Sequence, residues 1–429
     1  MTMTHKLREI LAAGLAAADP RAAVLAVLTA EGDRIRVGER VVVARRVVAL
    51  AVGKAASAMA QGATERLGAR IAGGLIVTRR GYDRPVQGWE TLVAGHPTPD
   101  DGSLAAARRV RNLAASLDDG DLLLALISGG ASALLADTAG DIRLDDLGAL
   151  TAALLRSGAS IHEINAVRKH ISTLKGGGLA RLASPAAVVA LLLSDVVGDD
   201  PATIGSGLTT PDPTTRAEAG RVLRRYAIDP PVAIARYLED APETAKPGDA
   251  LFARVSTTVI GSGRLSAQAA ARRAAELGYT PLILSTLVTN PAHETAALYG
   301  AIVREARLSG HPVPPPCAII SGGEATVTVR GQGIGGPNQE FALALALDLD
   351  SMVGWSALSA DTDGVDGPTD AAGGMVDGTT AGAIRAAGLD PAALLAANDA
   401  YRALRAGGAL LVTGPTGTNV NDLRVALVD

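Results

Sequence analysis

The chain is expected to be an α/β protein of two domains, with largely parallel sheets covered by helices. Three observations point there. Its 429 residues exceed what one ordinary core holds. Short, wholly apolar runs alternate with helical patterns almost throughout, as strands buried on both faces do. Aromatic residues make up only 2% of the chain against 48% hydrophobic residues. The core must therefore be Ala, Val, Leu and Ile, a composition suited to helices packed closely on sheets.

The elements follow in order. The opening stretch "MTMTHKLREILAAGLAAADPRAAVLAVL" has apolar residues at helical spacing, broken by charges. It reads as a helix packed on a domain, not as a signal peptide or membrane span. Candidate strands lie at 47–52, 74–78, 91–94, 122–127, 188–193, 256–260, 281–285, 318–320, 355–359 and 408–412. Helical patterns fall between them, as at 55–67, 103–117, 144–157 and 265–277. Pro230, Pro231, Pro242 and Pro247 interrupt the pattern and put a domain boundary within 238–250, dividing the chain into 1–240 and 241–429. A second proline cluster, "GHPVPPPCAII", reads as a stiff connection feeding a strand.

Bulk properties narrow the function. A net charge of −4 with no basic stripe argues against nucleic-acid binding. Cys317 is the single cysteine, which excludes an intrachain disulfide and makes a reducing cytoplasm the simplest location. No membrane association is expected.

Ligands in open α/β sheets sit beyond the carboxyl ends of strands, so the strand-to-helix turns carry the search. Several have glycines, which let backbone N–H groups approach an anion, together with hydroxyls or charges. Gly53 and Lys54 follow one strand; Ser128, Gly129, Gly130 and Ser132 follow another; Ser194 and Asp195 follow a third. Later turns bring Gly322, Gly323 and Glu324, then Asn338 and Glu340, then Asp361, Asp363, Asp366 and Asp370. Any one such turn could be tight strand–helix packing; so many on one chain are harder to assign to packing alone. Asn165, Arg168 and Lys169 fall at i, i+3 and i+4 and share a helix face, either a solvated basic face or an anion clamp.

Standard motifs are missing. Lys54 lacks the upstream glycine of a P-loop, and Ala55 stands where Ser or Thr belongs. "GSGRLS" has Ser266 in place of the third glycine of a dinucleotide fingerprint. The six histidines form no zinc motif. The Asp-rich loop could offer oxygen ligands to Mg²⁺, or be a solvated turn with its own side-chain caps.

Taken together, "VGKAASAMA", "GHPTPDDGSLAAA", "LISGGASALL", "INAVRKHISTLKGGGLA", "LSDVVGDDPATIGSGLTTPDPTT", "ISGGEATV", "GGPNQEFALALA", "SADTDGVDGPTDAAGG" and "GPTGTNVNDL" resemble the type II glycerate kinase family, from about Lys54 to Asp422. The resemblance implies an N-terminal Rossmann-like three-layer domain, a C-terminal α/β domain with a MOFRL region at about 315–425, and an active site in the interdomain cleft. It implies ATP- and Mg²⁺-dependent phosphorylation of D-glycerate to 2-phosphoglycerate. Lys54 matches a lysine of the family. The arginine of the family's "GGRNQE" falls on Pro337, so Arg168, Lys169 or Arg264 would have to supply that charge.

On this reading Lys54, Asp195 and Arg168 are the catalytic candidates, with Asp195 orienting or deprotonating the glycerate hydroxyl. Ser128, Gly129, Gly130, Ser132, Asn165, Lys169, Gly322, Gly323, Glu324, Asn338 and Glu340 are the candidates for holding substrate and phosphates, and Asp361 and Asp363 those for Mg²⁺. The expected partners are a small-molecule acid and a nucleotide, with a homodimer as the assembly carried forward. Two rivals remain: an NAD(P)H-dependent hydroxypyruvate reductase and a non-catalytic nucleotide or sugar-acid sensor.

Overall fold

In a computed structural model that describes residues 2–429, the chain forms two compact units. One is Pro20–Ile260; the other combines the segment up to Asp19 with Gly261–Asp429. The expected division at residue 240 therefore differs from the structure at both ends. Residues 241–260 stay with the first unit, where Ala245 N–H donates to Gly176 O (3.2 Å) and its carbonyl accepts from Asp212 N–H (2.8 Å).

The first unit opens with a small antiparallel sheet of β1 (Leu28–Glu31), β2 (Arg34–Val37) and β3 (Arg40–Val43). Its main sheet holds β4 (Arg46–Val52), β5 (Ile71–Arg79), β6 (Trp89–Ala94), β7 (Asp121–Ile127), β8 (Ala187–Leu193) and β9 (Val255–Gly261). The strand order is β6-β5-β4-β7-β8-β9, and β4, β5, β6, β7 and β8 pair in parallel. The chain winds outward from β4 to β6, then returns to the other side of β4 as β7. Connections on either side of the β4–β7 pair diverge there and leave a crevice beyond the carboxyl ends of the two strands. β7 is buried along its whole length, which is why "DLLLALI" shows no alternation. One face of the sheet (Leu50, Val52, Leu75, Leu123, Ala125) packs on Ala106, Val110, Ala114 and Leu179 from helices. Helix Asp101–Ala115 begins in a capping box between Asp100 and Ser103, and helix Ile161–His170 in one between Ser160 and Glu163.

The second unit has β10 (Thr280–Val288), β11 (Cys317–Gly323), β12 (Trp355–Asp361), β13 (Gly373–Asp377), β14 (Leu410–Leu411) and β15 (Asp422–Val428), in the order β10-β11-β15-β12-β13-β14. Only β10–β11 is parallel. The expectation of largely parallel sheets thus holds for the first unit and fails for the second. The cause is β15: the last strand inserts between β11 and β12, antiparallel to both. Arg424 is buried within it, paired with Asp422 and stacked over Phe341. Helix Met3–Ala17 sets Leu7, Ile10 and Leu11 against Ala267, Ala270 and Ala274 of helix Gly263–Glu276 and against Leu423 and Val425 of β15. It is therefore an element of the second unit. No single helix among the described residues is long and apolar enough to cross a membrane.

Candidate active site

The β4–β7 register pairs Val52 with Ile127, so the turns that follow them are neighbours. Their backbones are tied together. Ser128 N–H donates to Val52 O (2.9 Å) and Lys54 N–H to Gly129 O (2.9 Å). The Ser128 hydroxyl is buried, accepts from Ala55 N–H at 3.1 Å and donates to Val52 O at 3.3 Å. Ser128 thus locks one turn to the other, which corrects its expected role as a ligand donor. Gly53, at φ 122°, makes this approach possible: a Cβ there would lie 2.2 Å from Ser128 Oγ.

Gly129 admits a carboxylate. A Cβ on it would sit 1.9 Å from Asp195 Oδ2, so Asp195, at the end of β8, faces the turn directly. Asp195 is half-buried, and burial pushes its carboxyl above the ordinary range while the Lys54 charge opposes the shift. On the other side of the turn, Gly130 faces both Lys54 and the ring of His96: a Cβ there would be 3.7 Å from Lys54 Cγ and 3.0 Å from His96 Nε2. Lys54, Asp195 and His96 therefore converge on one glycine turn at the reversal of strand order.

A cavity of about 210 Å³ opens beside this turn, lined among others by His96, Gly130, Ser132, Asp137, Arg168 and Lys175. Ser132 bonds the Ser206 hydroxyl (2.8 Å), which donates to Asn165 Oδ1 (3.2 Å). Asn165 is buried and acts on the cavity through Ser206 and Ser132, not by direct contact. Arg168, one turn further along the same helix, is half-buried, and desolvation lowers its pKa. No carboxylate neutralises it among the described residues. A guanidinium held this way next to a hydroxyl suits a carboxylate or phosphate. Lys175 and Asp137 form the cavity's buried ion pair (3.4 Å), with Lys175 also donating to Leu135 O at 2.7 Å. Burial alone would raise the Asp137 pKa, but the Lys175 charge and bonds from Ser172 and Thr173 outweigh it and hold it low.

Lys169 is not brought to this cavity. It is buried, and its ammonium pairs with Asp212 at 3.4 Å. A helix turns 100° per residue, so sharing a broad face with Arg168 did not give the two a common target. Sequence reasoning missed His96 and Asp137, and placed Lys175 only within the basic run that leads into a triple-glycine turn. The signals were present, a histidine two residues past β6 and an acid closing "ALISGGASALLAD".

The remaining candidates belong to the second unit. Gly322 and Gly323 end β11 in close backbone packing, with a Cβ on Gly323 falling 2.2 Å from Val288 O, and Glu324 is exposed beyond them. These two glycines serve packing, contrary to the expected anion turn. Asn338 is fully buried, donates to Asp366 and Asp422 (3.2 and 2.6 Å) and accepts from Ser359 (2.5 Å). It joins the helix Pro337–Asp348 to the sheet and is not open to substrate. Pro337 occupies the first turn of that helix, where its missing N–H costs nothing, and Asp366 caps the N–H groups of Asn338 and Gln339. Glu340 is buried and accepts from His293 (3.4 Å) and Asn398 (3.3 Å) beside a separate cavity of about 200 Å³. Asp361 is half-buried; burial, then the charges of Asp363, Asp422 and Asp366, push its pKa up to about 8. A cation would relieve that repulsion, so the acidic pair is chemically suited to one. Among the described residues no group of three or more His, Cys, Asp or Glu side chains is arranged to hold a metal ion. The turn before helix Gly263–Glu276, the start of a dinucleotide-like pattern, packs on the chain itself: a Cβ on Gly263 would meet Val420 O at 2.9 Å.

Residues 6–239 match a family model described as a domain of unknown function (DUF4147), and residues 317–422 match the MOFRL family. The D-glycerate 2-kinase of Thermotoga maritima is 44% identical over 385 residues, covering 89% of this chain and 91% of that protein. The glycerate 2-kinase of Pyrococcus horikoshii is 41% identical over 424 residues, covering 96% of this chain and 94% of that protein. A crystal structure of a glycerate kinase from Thermotoga maritima superposes with a TM-score of 0.90 at 41% identity, covering 98% of each chain.

Proposed function

This chain belongs to the type II glycerate kinase family, and from that premise we propose that it transfers the γ-phosphoryl group of ATP to D-glycerate, giving 2-phosphoglycerate and ADP. The observation that carries this reading is the meeting of Lys54, Asp195 and the Gly129–Gly130 turn at the reversal of strand order, beside a cavity holding an unneutralised arginine.

Phosphoryl transfer asks for position and charge neutralisation. The acid's carboxylate would rest on Arg168 and the Ser132 hydroxyl. Its 2-hydroxyl oxygen forms the new bond to phosphorus as the bond to the β-phosphate oxygen breaks and ADP leaves. Asp195 takes the hydroxyl proton; burial raises its pKa, which makes its ionised form a better base than an exposed carboxylate, and the Lys54 charge opposes that rise. Lys54 also neutralises charge on the transferring group. Asp361 and Asp363 would hold Mg²⁺, which would supply charge neutralisation.

ADP release from Mg-ATP with D-glycerate, with the product identified by NMR, tests the reading. Glycerate-dependent ADP with 2-phosphoglycerate is expected. Oxidation of NADH or NADPH by hydroxypyruvate, with no ADP formed, would replace the kinase by a reductase.

A further inference from the structure

His96 carries an inference beyond the residues assigned above. It follows β6, faces Gly130 and lines the same cavity as Arg168 and Ser132. Its two ring nitrogens differ. Nδ1 is buried with no hydrogen-bond partner among the described residues. Nε2 lies on the Gly130 side, 3.0 Å from where a Cβ on that glycine would be. A buried N–H without an acceptor is rarer and costlier than an unused acceptor lone pair. The proton of the neutral ring therefore belongs on Nε2, the nitrogen turned toward the cavity.

The surroundings also oppose a second proton. Burial, then the charges of Lys54 and Arg79, hold the imidazole below its ordinary range. Arg168 adds positive charge on the same cavity, where Lys175 is matched by Asp137. The nearest acid along the chain, Asp100, accepts from the N–H groups of Gly95 and Ser103 (2.8 and 2.9 Å) and caps its helix.

We propose that His96 contacts the substrate directly, as a neutral imidazole whose Nε2–H donates a hydrogen bond to an oxygen of the small acid seated beside Arg168. This rests on the kinase reading for the identity of that acid. In this tautomer no lone pair faces the cavity, so His96 is a donor and proton removal stays with Asp195. A neutral donor fixes an oxygen without adding a third full charge beside Lys54 and Arg168, which would slow release of a more anionic phosphorylated product.

The test combines kinetics of the wild type, His96→Gln and His96→Ala with ¹⁵N NMR of the wild-type imidazoles. The alanine variant should lose about tenfold or more in kcat/KM for D-glycerate, the usual cost of one lost substrate hydrogen bond, with KM for ATP within about twofold. Glutamine, which retains a donor, should recover part of the loss. The spectrum should place a single proton on Nε2 around neutral pH, and the Nε2 resonance should move when D-glycerate is added without nucleotide. Wild-type kinetics in His96→Ala, a proton on Nδ1, or a resonance indifferent to D-glycerate would each overturn the proposal and leave the kinase reading intact. If the wild type forms no glycerate-dependent ADP, the kinase reading falls separately. The Nε2 response to D-glycerate and to inorganic phosphate then decides whether His96 is an anion contact: movement with either supports it, and silence with both removes it.

Discussion

At the scale of single residues, chemistry and stability separate. Lys54→Met should cut kcat by at least about a hundredfold, since it removes a charge aimed at the transferring group, with the melting temperature near wild type. Turnover measured beside thermal unfolding checks this. Asp195→Asn should do the same without loss of stability. The sign follows from its pKa: a carboxyl raised above its unfolded value binds its proton more tightly when folded, so its ionised form costs stability as pH rises past the unfolded value. The amide carries no such cost at neutral pH. Because the base must be ionised, kcat/KM should fall with decreasing pH at a point above the usual carboxylate range, and this acid limb should vanish in Asp195→Asn. Arg168 and Lys169, adjacent in sequence, should behave oppositely. Arg168→Ala should raise KM for D-glycerate at little cost in stability. Lys169→Ala strands the Asp212 carboxylate and should cost about 3 kcal/mol of stability, tempered by the hydroxyls of Thr214 and Thr244 that still donate to it (2.8 and 2.9 Å).

Elements explain which of these roles could be read from the sequence. The strand ends and the glycines after them were legible, because continuous apolar runs closing on Gly-Lys, Ser-Gly-Gly and Ser-Asp mark buried strands with turns at one edge of a sheet. What each glycine is for was not: Gly129 makes room for Asp195, while Gly323 makes room for the β10 backbone, and only the partner distinguishes them. Gly129→Ala should accordingly displace Asp195 and lower kcat nearly as far as Asp195→Asn does, whereas the spectroscopic signature of the fold persists; full activity in this variant would separate Asp195 from the turn. The strands β1–β3 escaped because short hairpins around Gly32 and Gly38 carry alternating charge, and β15 because Asp422 and Arg424 interrupt its apolar run. Within the fold the two side chains pair with each other, which lets both lie buried in the strand.

For the whole molecule, the two compact units, each with its own hydrophobic clusters, set the units of stability. Residues 20–260 contain every strand of the first sheet up to Ile260 together with the ties between residues 245 and 176. Expressed alone, they should unfold in one cooperative transition by calorimetry. A 1–240 fragment should not: it lacks β9 and carries helix Met3–Ala17 with its apolar face uncovered. A fragment ending at 240 that melts as sharply as 20–260 would contradict this division.

The placement of β15 also has a consequence for how the protein is made. Synthesis runs from the N-terminus, so residues 20–260 leave the ribosome as a finished folding unit while the rest is still being translated. Helix Met3–Ala17 precedes that unit in the chain but must wait until Leu423 and Val425, two of the residues it packs on, have been joined. A nascent chain stopped before Asp422 would lack β15, leaving β11 and β12 as open edges. Termination before Asp422 should therefore yield an aggregating product for the cell's quality control to clear.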